Sequence, residues 1–164
     1  MPLIYKRAGA ESIPLITGLA HSIWKKYYSA IISMEQIDYM LERFYSSNSL
    51  LQQMRDGQLY TLVFDGTEAI GFLSLSTKTP GNYFLHKFYI NTERQKQGIG
   101  KGLFEFVLSQ AEKPQRIELT VNRMNYKAIN FYFKLGFAID RCEDFDIGNG
   151  FFMNDFVMTR KSHT

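Results

Sequence analysis

The amino-acid sequence predicts a mixed α/β fold in which helices lie on both faces of one central sheet. Segments with alternating apolar residues, typical of strands, are interspersed with segments whose apolar residues recur at helical spacing. Their order along the chain is β, α, α, β, β, β, α, β, α, β, β, which indicates a mixed sheet. The chain of 164 residues has the length of one domain with a full hydrophobic core, so we expect a single domain over residues 1–164.

The first half of the chain contains four predicted strands and two predicted helices. Ser33 and Gln36 form a capping box that marks the start of the second helix. Asp65 and Gly66 form the tight turn that splits one long apolar stretch into a hairpin. The expected elements are a strand at 2–8, helices at 10–28 and 33–45, two strands within 58–78 and a strand at 82–90, with a polar stretch before the hairpin.

The second half opens with a glycine-rich segment that runs into a helix ending near Ala111. A strand follows at 115–121, and then a helix that Asn125 opens and Gly136 closes. Two late strands are expected within 137–145 and 150–160.

Glycine costs roughly 1 kcal/mol per residue in a helix relative to alanine, so the glycines at the head of this helix indicate a need for backbone freedom or close approach. A bound anion is the obvious candidate for that need. The dinucleotide fingerprint requires a third glycine where Leu103 stands. The nucleotide P-loop requires Ser or Thr after its lysine, and here Lys101 is followed by Gly102. Both patterns are excluded, which leaves the sequence QKQGIG at 95–100.

This segment resembles the acyl-CoA pyrophosphate loop of the GCN5-related N-acetyltransferase (GNAT) family, whose signature is Gln or Arg, two residues, Gly, any residue, then Gly or Ala. The strand ending LHKFYI stands at the family's offset before the loop. The downstream sequence NYKAINFYFKLGF at 125–137 matches every fixed position of a second family pattern, Asn-x-x-Ala-x-x-Phe-Tyr-x-x-x-Gly-Phe. The resemblance covers essentially the whole chain, and it implies a mostly antiparallel sheet of about six to seven strands.

The resemblance implies that acetyl-CoA is the acyl donor and that no metal takes part. The backbone N–H groups of a glycine turn and of the following helix start would form a nest for a pyrophosphate. The alternative is a glycine-rich turn with a solvated basic face. The residues implied at the pyrophosphate are Gln95, Lys96, Gln97, Gly98, Ile99, Gly100 and Lys101.

By the same resemblance, the pantetheine arm would pair with the backbone of Phe88, Tyr89 and Ile90. Asn125 matches the family's asparagine near this arm, although a plain N-cap is an equally good interpretation. Tyr132 occupies the position of the tyrosine that faces the cofactor sulfur, and its alternative is a core aromatic.

The implied reaction is direct transfer of the acetyl group to a primary amine of a small molecule or peptide. An alkylamine of pKa about 10.4 is protonated at pH 7, so a base must remove its proton. His86 resembles the base-position residue in the arylalkylamine branch of the family, and ordered water is the alternative. Cys142 belongs to no Cys and His constellation and is interpreted as an incidental thiol. A non-catalytic acyl-CoA sensor or partner subunit on the same fold is the alternative function.

The acceptor is poorly specified by the sequence. Trp24, Tyr27 and Tyr28 could stack on a substrate, although Trp24 also suits the core. Four late acidic residues could attract a cationic amine or could form a solvated loop: Asp140, Glu143, Asp144 and Asp146.

The charge and composition limit the partners. A formal net charge of +3 without an aromatic RNA-binding motif or basic stripe argues against nucleic acid. One cysteine cannot form an internal disulfide, and no run approaches the roughly 20 apolar residues of a membrane span. We therefore expect a cytoplasmic protein that makes no membrane contact, with homodimerisation possible because it is common in the family.

Overall fold

The computed structural model describes residues 2–91 and 98–162. Seven strands form one sheet in the order β1-β2-β3-β4-β5-β7-β6. Every neighbouring pair is antiparallel except β4 and β5, which run parallel. The predicted mixed, mostly antiparallel sheet is therefore confirmed. The strands are β1 Leu3–Ala8, β2 Leu59–Asp65, β3 Glu68–Thr79, β4 Asn82–Ile90, β5 Arg116–Asn122, β6 Ala138–Gly148 and β7 Phe151–Lys161.

Helices cover both faces of the sheet, as predicted. The front layer consists of α1 Ile13–Tyr27, α2 Met34–Tyr45 and α3 Ser47–Arg55. The back layer consists of α4 Ile99–Gln110 and α5 Tyr126–Lys134. Each layer buries its own apolar cluster against the sheet, and the two clusters use opposite faces of the same strands, as period-two alternation dictates.

Helix α3 occupies the polar stretch to which the sequence analysis assigned no element. Its only buried residue is Leu50, so it carries too little apolar periodicity to be recognised. The helix begins because the Ser46 hydroxyl accepts a hydrogen bond from the Ser49 backbone N–H at 3.3 Å. The helix brings the Gln53 side chain into hydrogen-bond contact with Lys87 of strand β4.

Strand β4 contains a bulge at His86. Ser74 of β3 is registered with Lys87, and the next residue, Leu75, is registered with Leu85, so His86 is the additional residue. The bulge changes which residues face each side: Tyr83 and Leu85 face the back cluster before it, and Phe88 and Ile90 do so after it. This shift turns Lys87 toward the front layer.

A gap opens in the sheet directly beyond the bulge. The parallel pairing of β4 with β5 covers four residue pairs and ends at Leu85 and Leu119. Past this point Phe88, Tyr89 and Ile90 are registered with β3 on one side and have no registered partner on β5. The exposed edge of β4 therefore offers backbone N–H and C=O groups to a molecule that enters the gap.

The turn end of the β6–β7 hairpin packs against helix α2. The Tyr39 hydroxyl donates a hydrogen bond to the Ile147 carbonyl at 2.6 Å. The Gln36 side chain donates one to the Phe152 carbonyl at 2.8 Å. These contacts hold the hairpin end against the front layer.

Candidate active site

A cavity of about 1510 Å³ passes through the gap between β4 and β5 and reaches both layers of helices. It brings together most of the residues that the sequence analysis selected. The predicted residues that line it are Trp24, Tyr27, Tyr28, His86, Phe88, Tyr89, Ile90, Gly98, Ile99, Gly100, Lys101, Asn125 and Tyr132. Gln95, Lys96 and Gln97 lie outside the described residues.

The start of helix α4 forms one end of the cavity. Gly98 has a φ of 93°, a left-handed conformation. Apart from its chain neighbours, no heavy atom of residues 2–91 and 98–162 lies within 4 Å of the position that its Cβ would take. The backbone is therefore approachable from the cavity. The first N–H groups of a helix have no intrahelical acceptor, and they carry the positive end of its dipole. This end of the cavity suits an anion.

Gly100 has a packing role in addition to its predicted role at the pyrophosphate, which stays a prediction. A Cβ on Gly100 would lie 2.9 Å from the Phe131 ring of helix α5. Its lack of a side chain therefore lets the two back-layer helices pack closely, in addition to leaving the backbone accessible. The sequence pattern alone does not separate these two reasons for a glycine.

Tyr132 lies on α5 and is 8% exposed. Burial first, and then the neighbouring Tyr28, raise its pKa above the ordinary value of a tyrosine. Tyr132 also acts electrostatically on Tyr89 of β4. Tyr132 therefore lines the cavity from the back layer, and its hydroxyl group stays protonated at neutral pH.

Asn125 has two observed contacts. Its side-chain oxygen accepts a hydrogen bond from the Ala128 backbone N–H at 3.3 Å, which makes it the N-cap of α5. Its side-chain nitrogen donates to the Tyr28 hydroxyl at 3.3 Å. The cap interpretation is observed, and contact with a cofactor stays a prediction.

Aromatic side chains from the front layer form another wall. The rings of Trp24 and Tyr28 stack with centroids 4.4 Å apart, and Trp24 also packs near Tyr45 and Tyr89. Trp24 is 5% exposed, in accord with the core alternative, while Tyr27 and Tyr28 are half-buried. The indole nitrogen of Trp24 is buried without a hydrogen-bond partner among the described residues.

His86 lies at the bulge, where its Nε2 is 2.6 Å from the Ser76 hydroxyl. One edge of the residue is exposed, while its ring packs on Phe84 with centroids 4.8 Å apart. Burial of the ring, and then the charges of Lys87 and Lys78, lower the pKa of His86 to about 4. The imidazole is therefore neutral at pH 7, the state that a base requires.

Lys87 is a buried lysine that the sequence analysis did not select. It is 8% exposed, and its ammonium nitrogen donates to the side-chain oxygens of Gln53 at 2.5 Å and Gln58 at 3.2 Å. It also lies 5.5 Å and 5.4 Å from the ring centres of Tyr45 and Tyr60. Burial lowers the pKa of Lys87 to about 7. The only signal in the sequence is the polar pair His-Lys inside the apolar strand NYFLHKFYI.

Asp155 of β7 is the second residue that the sequence analysis missed. It is 4% exposed and faces the cavity from the front side of the sheet. Burial raises the pKa of Asp155 to about 6, while the neighbouring Thr120 and Arg123 oppose that rise. An aspartate inside the apolar strand GFFMNDFVMTR is the signal that was available.

Two further carboxylates line the same wall but are already paired. Glu118 of β5 lies 3.9 Å from Lys78, 3.6 Å from Arg116 and 3.8 Å from Arg141. Glu143 of β6 lies 3.6 Å from Arg141. Arg141 therefore links both carboxylates.

The other predicted acidic residues lie outside the cavity lining. Asp144 pairs with Arg123 at 2.7 Å, and Asp140 pairs with Arg141 at 2.9 Å. Asp146 caps the hairpin turn by accepting from the Gly148 backbone N–H. Cys142 is exposed and also lies outside the lining.

The described residues contain no metal-ion site and no membrane-spanning helix. No group of three or more potential ligands among residues 2–91 and 98–162 could hold a metal ion. Within the same ranges, no helix has the length and apolar character needed to cross a membrane.

Comparison with known proteins identifies relatives along the full length of the chain. The model of the acetyltransferase (GNAT) family matches residues 20–137. A spermidine N(1)-acetyltransferase of Thermoplasma acidophilum is 28% identical over 172 aligned positions, which cover 98% of each chain. The peptidyl-lysine N-acetyltransferase YjaB of Salmonella typhimurium is 32% identical over 94 residues, which cover 57% of this chain and 59% of that protein.

Solved structures show the same fold. The PaiA N-acetyltransferase of Thermoplasma acidophilum, crystallised in complex with coenzyme A, is 27% identical and covers 99% of this chain and 100% of its own, with a TM-score of 0.83. A GCN5-related N-acetyltransferase of Rhodopseudomonas palustris is 15% identical and covers 99% of this chain and 97% of its own, with a TM-score of 0.81. Since the family model matches residues 20–137, more than half of the chain, this chain belongs to the GNAT family of acetyltransferases.

Proposed function

We propose that this acetyltransferase moves the acetyl group of acetyl-CoA directly to a primary amine of a small cationic acceptor, with a polyamine as the preferred class. The observation that carries the proposal is the cavity through the sheet, which joins an anion-binding helix start, an open strand edge and an acidic front wall. The full-length similarity to a spermidine acetyltransferase supports the polyamine class.

The described residues fit a coenzyme A molecule. Its phosphates would lie at the start of α4, where the open backbone at Gly98 and the helix dipole favour negative charge. Lys101, Lys127 and Lys134 line the same cavity and add positive charge. The amide groups of the pantetheine arm match the exposed edge of β4 at Phe88–Ile90. Bound there, acetyl-CoA supplies an activated acetyl thioester.

Tyr132 would stabilise the departing sulfur. Because burial raises its pKa, complete transfer of its proton to a thiolate of pKa about 8.5 is unfavourable. The hydroxyl group instead donates a hydrogen bond that strengthens as negative charge develops on sulfur.

The front wall suits an ammonium group. Three carboxylates from three adjacent strands, Glu118, Glu143 and Asp155, line it. Arg141 links the first two, so Asp155 is the carboxylate that a ligand can pair with directly. Negative charge in a partly enclosed cavity attracts a cation and orients it toward the gap. A polyamine carries several such cations along one flexible chain.

Direct transfer is favoured over an acyl-enzyme formed on a thiol, because the sequence contains one cysteine. Cys142 is exposed and lies outside the lining. The acceptor amine would then attack the thioester in a complex that contains both substrates. We also propose that residues 1–164 form one domain that acts in the cytoplasm, with homodimerisation as a testable property.

The function is tested by measuring thiol release from acetyl-CoA against spermidine, spermine, arylalkylamines, amino acids, aminoglycosides and lysine peptides. The Tyr132→Phe variant is run beside the parent protein. We expect turnover with polyamines and a fall in kcat of about 100-fold in the variant, since a donor to developing charge contributes 10²–10³. Binding of acetyl-CoA, measured by calorimetry, should be unchanged.

Tyr126→Phe is the matched control, because Tyr126 lies on the same helix, is 62% exposed and does not line the cavity. It should behave like the parent. Turnover confined to lysine peptides would replace the polyamine by a peptide acceptor. Tight acetyl-CoA binding without turnover of any amine would favour the sensor function, and loss of binding would contradict the proposal altogether.

A further inference from the structure

The front wall of the cavity contains one carboxylate that has no ion pair among the described residues. Glu118 and Glu143 are held by the arginines and the lysine described above. Asp155 is 4% exposed, and the Arg123 guanidinium donates to its backbone carbonyl at 3.5 Å and acts on its carboxylate only through space. A buried carboxylate that is compensated only indirectly is costly to keep ionised, so a cationic ligand would gain a direct ion pair there.

The strand register places Asp155 beside the gap. Asp155 is paired with Asn122 of β5, three residues beyond Leu119, where the β4–β5 pairing ends. Alternation along β7 puts Phe156 and Met158 in or against the back cluster, so Asp155 faces the front. It therefore borders the segment of β5 that has separated from β4.

The electrostatic contacts connect Asp155 to the tyrosines at the gap. Burial raises the pKa of Tyr28, and the charge of Asp155 adds to that rise. Tyr28 in turn raises the pKa of Tyr132. Asp155, Tyr28 and Tyr132 all line the cavity that also borders the exposed edge of β4.

We infer that Asp155 binds the reacting ammonium group of the acceptor and removes its proton, which makes it a catalytic residue of the acetyl transfer. The inference rests on the proposed function, because it assigns a role within that same site. It also names a base on β7 in addition to the predicted His86 on β4.

The acetyl transfer removes two protons from the ammonium nitrogen and replaces one C–S bond by one C–N bond. One proton passes from the ammonium nitrogen to a carboxylate oxygen of Asp155, and the freed lone pair attacks the thioester carbon. The C–N bond forms and the C–S bond breaks. Coenzyme A leaves as a thiolate, which receives the second proton that the nitrogen loses, and Asp155 releases its own proton to water.

The charged groups around Asp155 determine its titration. Arg123, beyond the end of β5, stabilises the ionised form, and Asp144 of β6 opposes it. Glu143 is the registered neighbour on β6, and Tyr28 faces it from the front layer. Burial is the largest influence and raises the pKa of Asp155 to about 6, so the carboxylate is ionised at pH 7 but close to the pKa at which it can accept a proton.

The first test compares Asp155→Asn with the matched variant Asp38→Asn, at an exposed position of α2 outside the cavity lining. With spermidine as the acceptor, we expect kcat/KM to fall about 100-fold or more in Asp155→Asn and to stay at the parent value in Asp38→Asn. Calorimetry should give the parent affinity for acetyl-CoA in both variants. Parent-like turnover in Asp155→Asn would overturn the inference, and His86→Ala in the same assay shows whether β4 supplies the base instead.

A second measurement needs no variant. Because the inference requires an ionised Asp155 and a protonated amine, kcat/KM of the parent enzyme should decline below an apparent pKa near 6 and stay level from about pH 7 to 9. A steady rise across pH 6 to 9 would show that free amine is selected from solution, and would overturn the inference.

A calorimetric titration separates failure of the inference from failure of the proposed function. Spermidine is titrated into the parent and Asp155→Asn proteins saturated with coenzyme A. If the parent turns over no amine, the proposed function fails, but weaker spermidine binding in Asp155→Asn would still support the ammonium site. Equal affinity of the parent and Asp155→Asn proteins for spermidine would show that Asp155 is not an ammonium site.

Discussion

The buried position of Lys87 disfavours the charged form of its side chain. Its ammonium group is surrounded by two carboxamide oxygens and two aromatic rings, and it forms no ion pair with a carboxylate among the described residues. Its pKa of about 7 in the folded protein lies well below the usual value of 10.5. The unfolded chain therefore binds more protons than the folded protein between pH 7 and 10.5, and stability should rise with pH across that interval.

Replacing Lys87 by methionine tests this linkage. The free energy of unfolding of the parent should increase from pH 7 to pH 9 relative to that of Lys87→Met, with a limiting slope of about 1.4 kcal/mol per pH unit. Urea denaturation at both pH values measures the difference. Lys6→Met, at an exposed position on β1, is the control and should keep the pH dependence of the parent. Equal pH dependence in Lys87→Met and the parent would contradict the prediction.

Individual residues show where sequence reasoning succeeds and where it fails. The family motif led to Tyr132 and Asn125, and both line the cavity, although their roles stay predictions. Lys87 and Asp155 were missed because each belongs to a short polar interruption of an apolar strand. Whether such a residue faces solvent or a buried cavity depends on the bulge and on strand pairing, which the sequence of one strand does not contain.

Among the helices, α4 and α5 are joined by a contact that requires a glycine. Alanine at position 100 would place its Cβ 2.9 Å from the Phe131 ring. Gly100→Ala should therefore lower the free energy of unfolding by about 1–3 kcal/mol, because a packed interface resists additional volume. Urea denaturation of the purified variant measures the loss.

A compensating substitution distinguishes overpacking from a general effect of alanine. Phe131→Leu removes the edge of the ring that the new methyl group would meet, so adding it to Gly100→Ala should recover part of the loss. Two losses that simply add would argue against a steric conflict between these positions.

Helix α3 depends on its capping residue because it buries only one side chain. Ser46→Ala removes the acceptor for the Ser49 N–H and should cost about 1 kcal/mol of stability. Ser46→Asp, which retains an acceptor at the same position, should keep the parent stability. A thermal melt followed by circular dichroism measures both, and equal melting temperatures for the alanine variant and the parent would refute the role of the cap.

At the scale of the whole molecule, the order and layering of the elements follow from periodicity and turn residues, and both were predicted correctly except for helix α3. The position of the last strand was not predictable in the same way. Strand β7 lies between β5 and β6, so the edge of the sheet is β6. Local patterns identify strands, whereas their order depends on contacts between residues far apart in the sequence.

Acetyl-CoA should stabilise the whole molecule, because its proposed site across the gap exists in the folded protein and not in the unfolded chain. At a concentration 100 times its dissociation constant, the expected gain is about 2.7 kcal/mol. Thermal melts across a range of acetyl-CoA concentrations measure it. The Tyr132→Phe variant should show the same gain, and a melting temperature that does not change with acetyl-CoA would contradict binding.

The one-sided pairing of β4 beyond the bulge has a consequence for amide hydrogen exchange. Residues 82–85 of this strand have partners on both edges, while Phe88–Ile90 have partners only on β3. The backbone N–H groups of Phe88–Ile90 that point away from β3 should therefore exchange with deuterium faster than those of residues 82–85. This is expected although β4 is the middle strand of a seven-stranded sheet. This part of the central strand should exchange as fast as an edge strand does. Slower exchange on addition of acetyl-CoA would report that the gap is occupied.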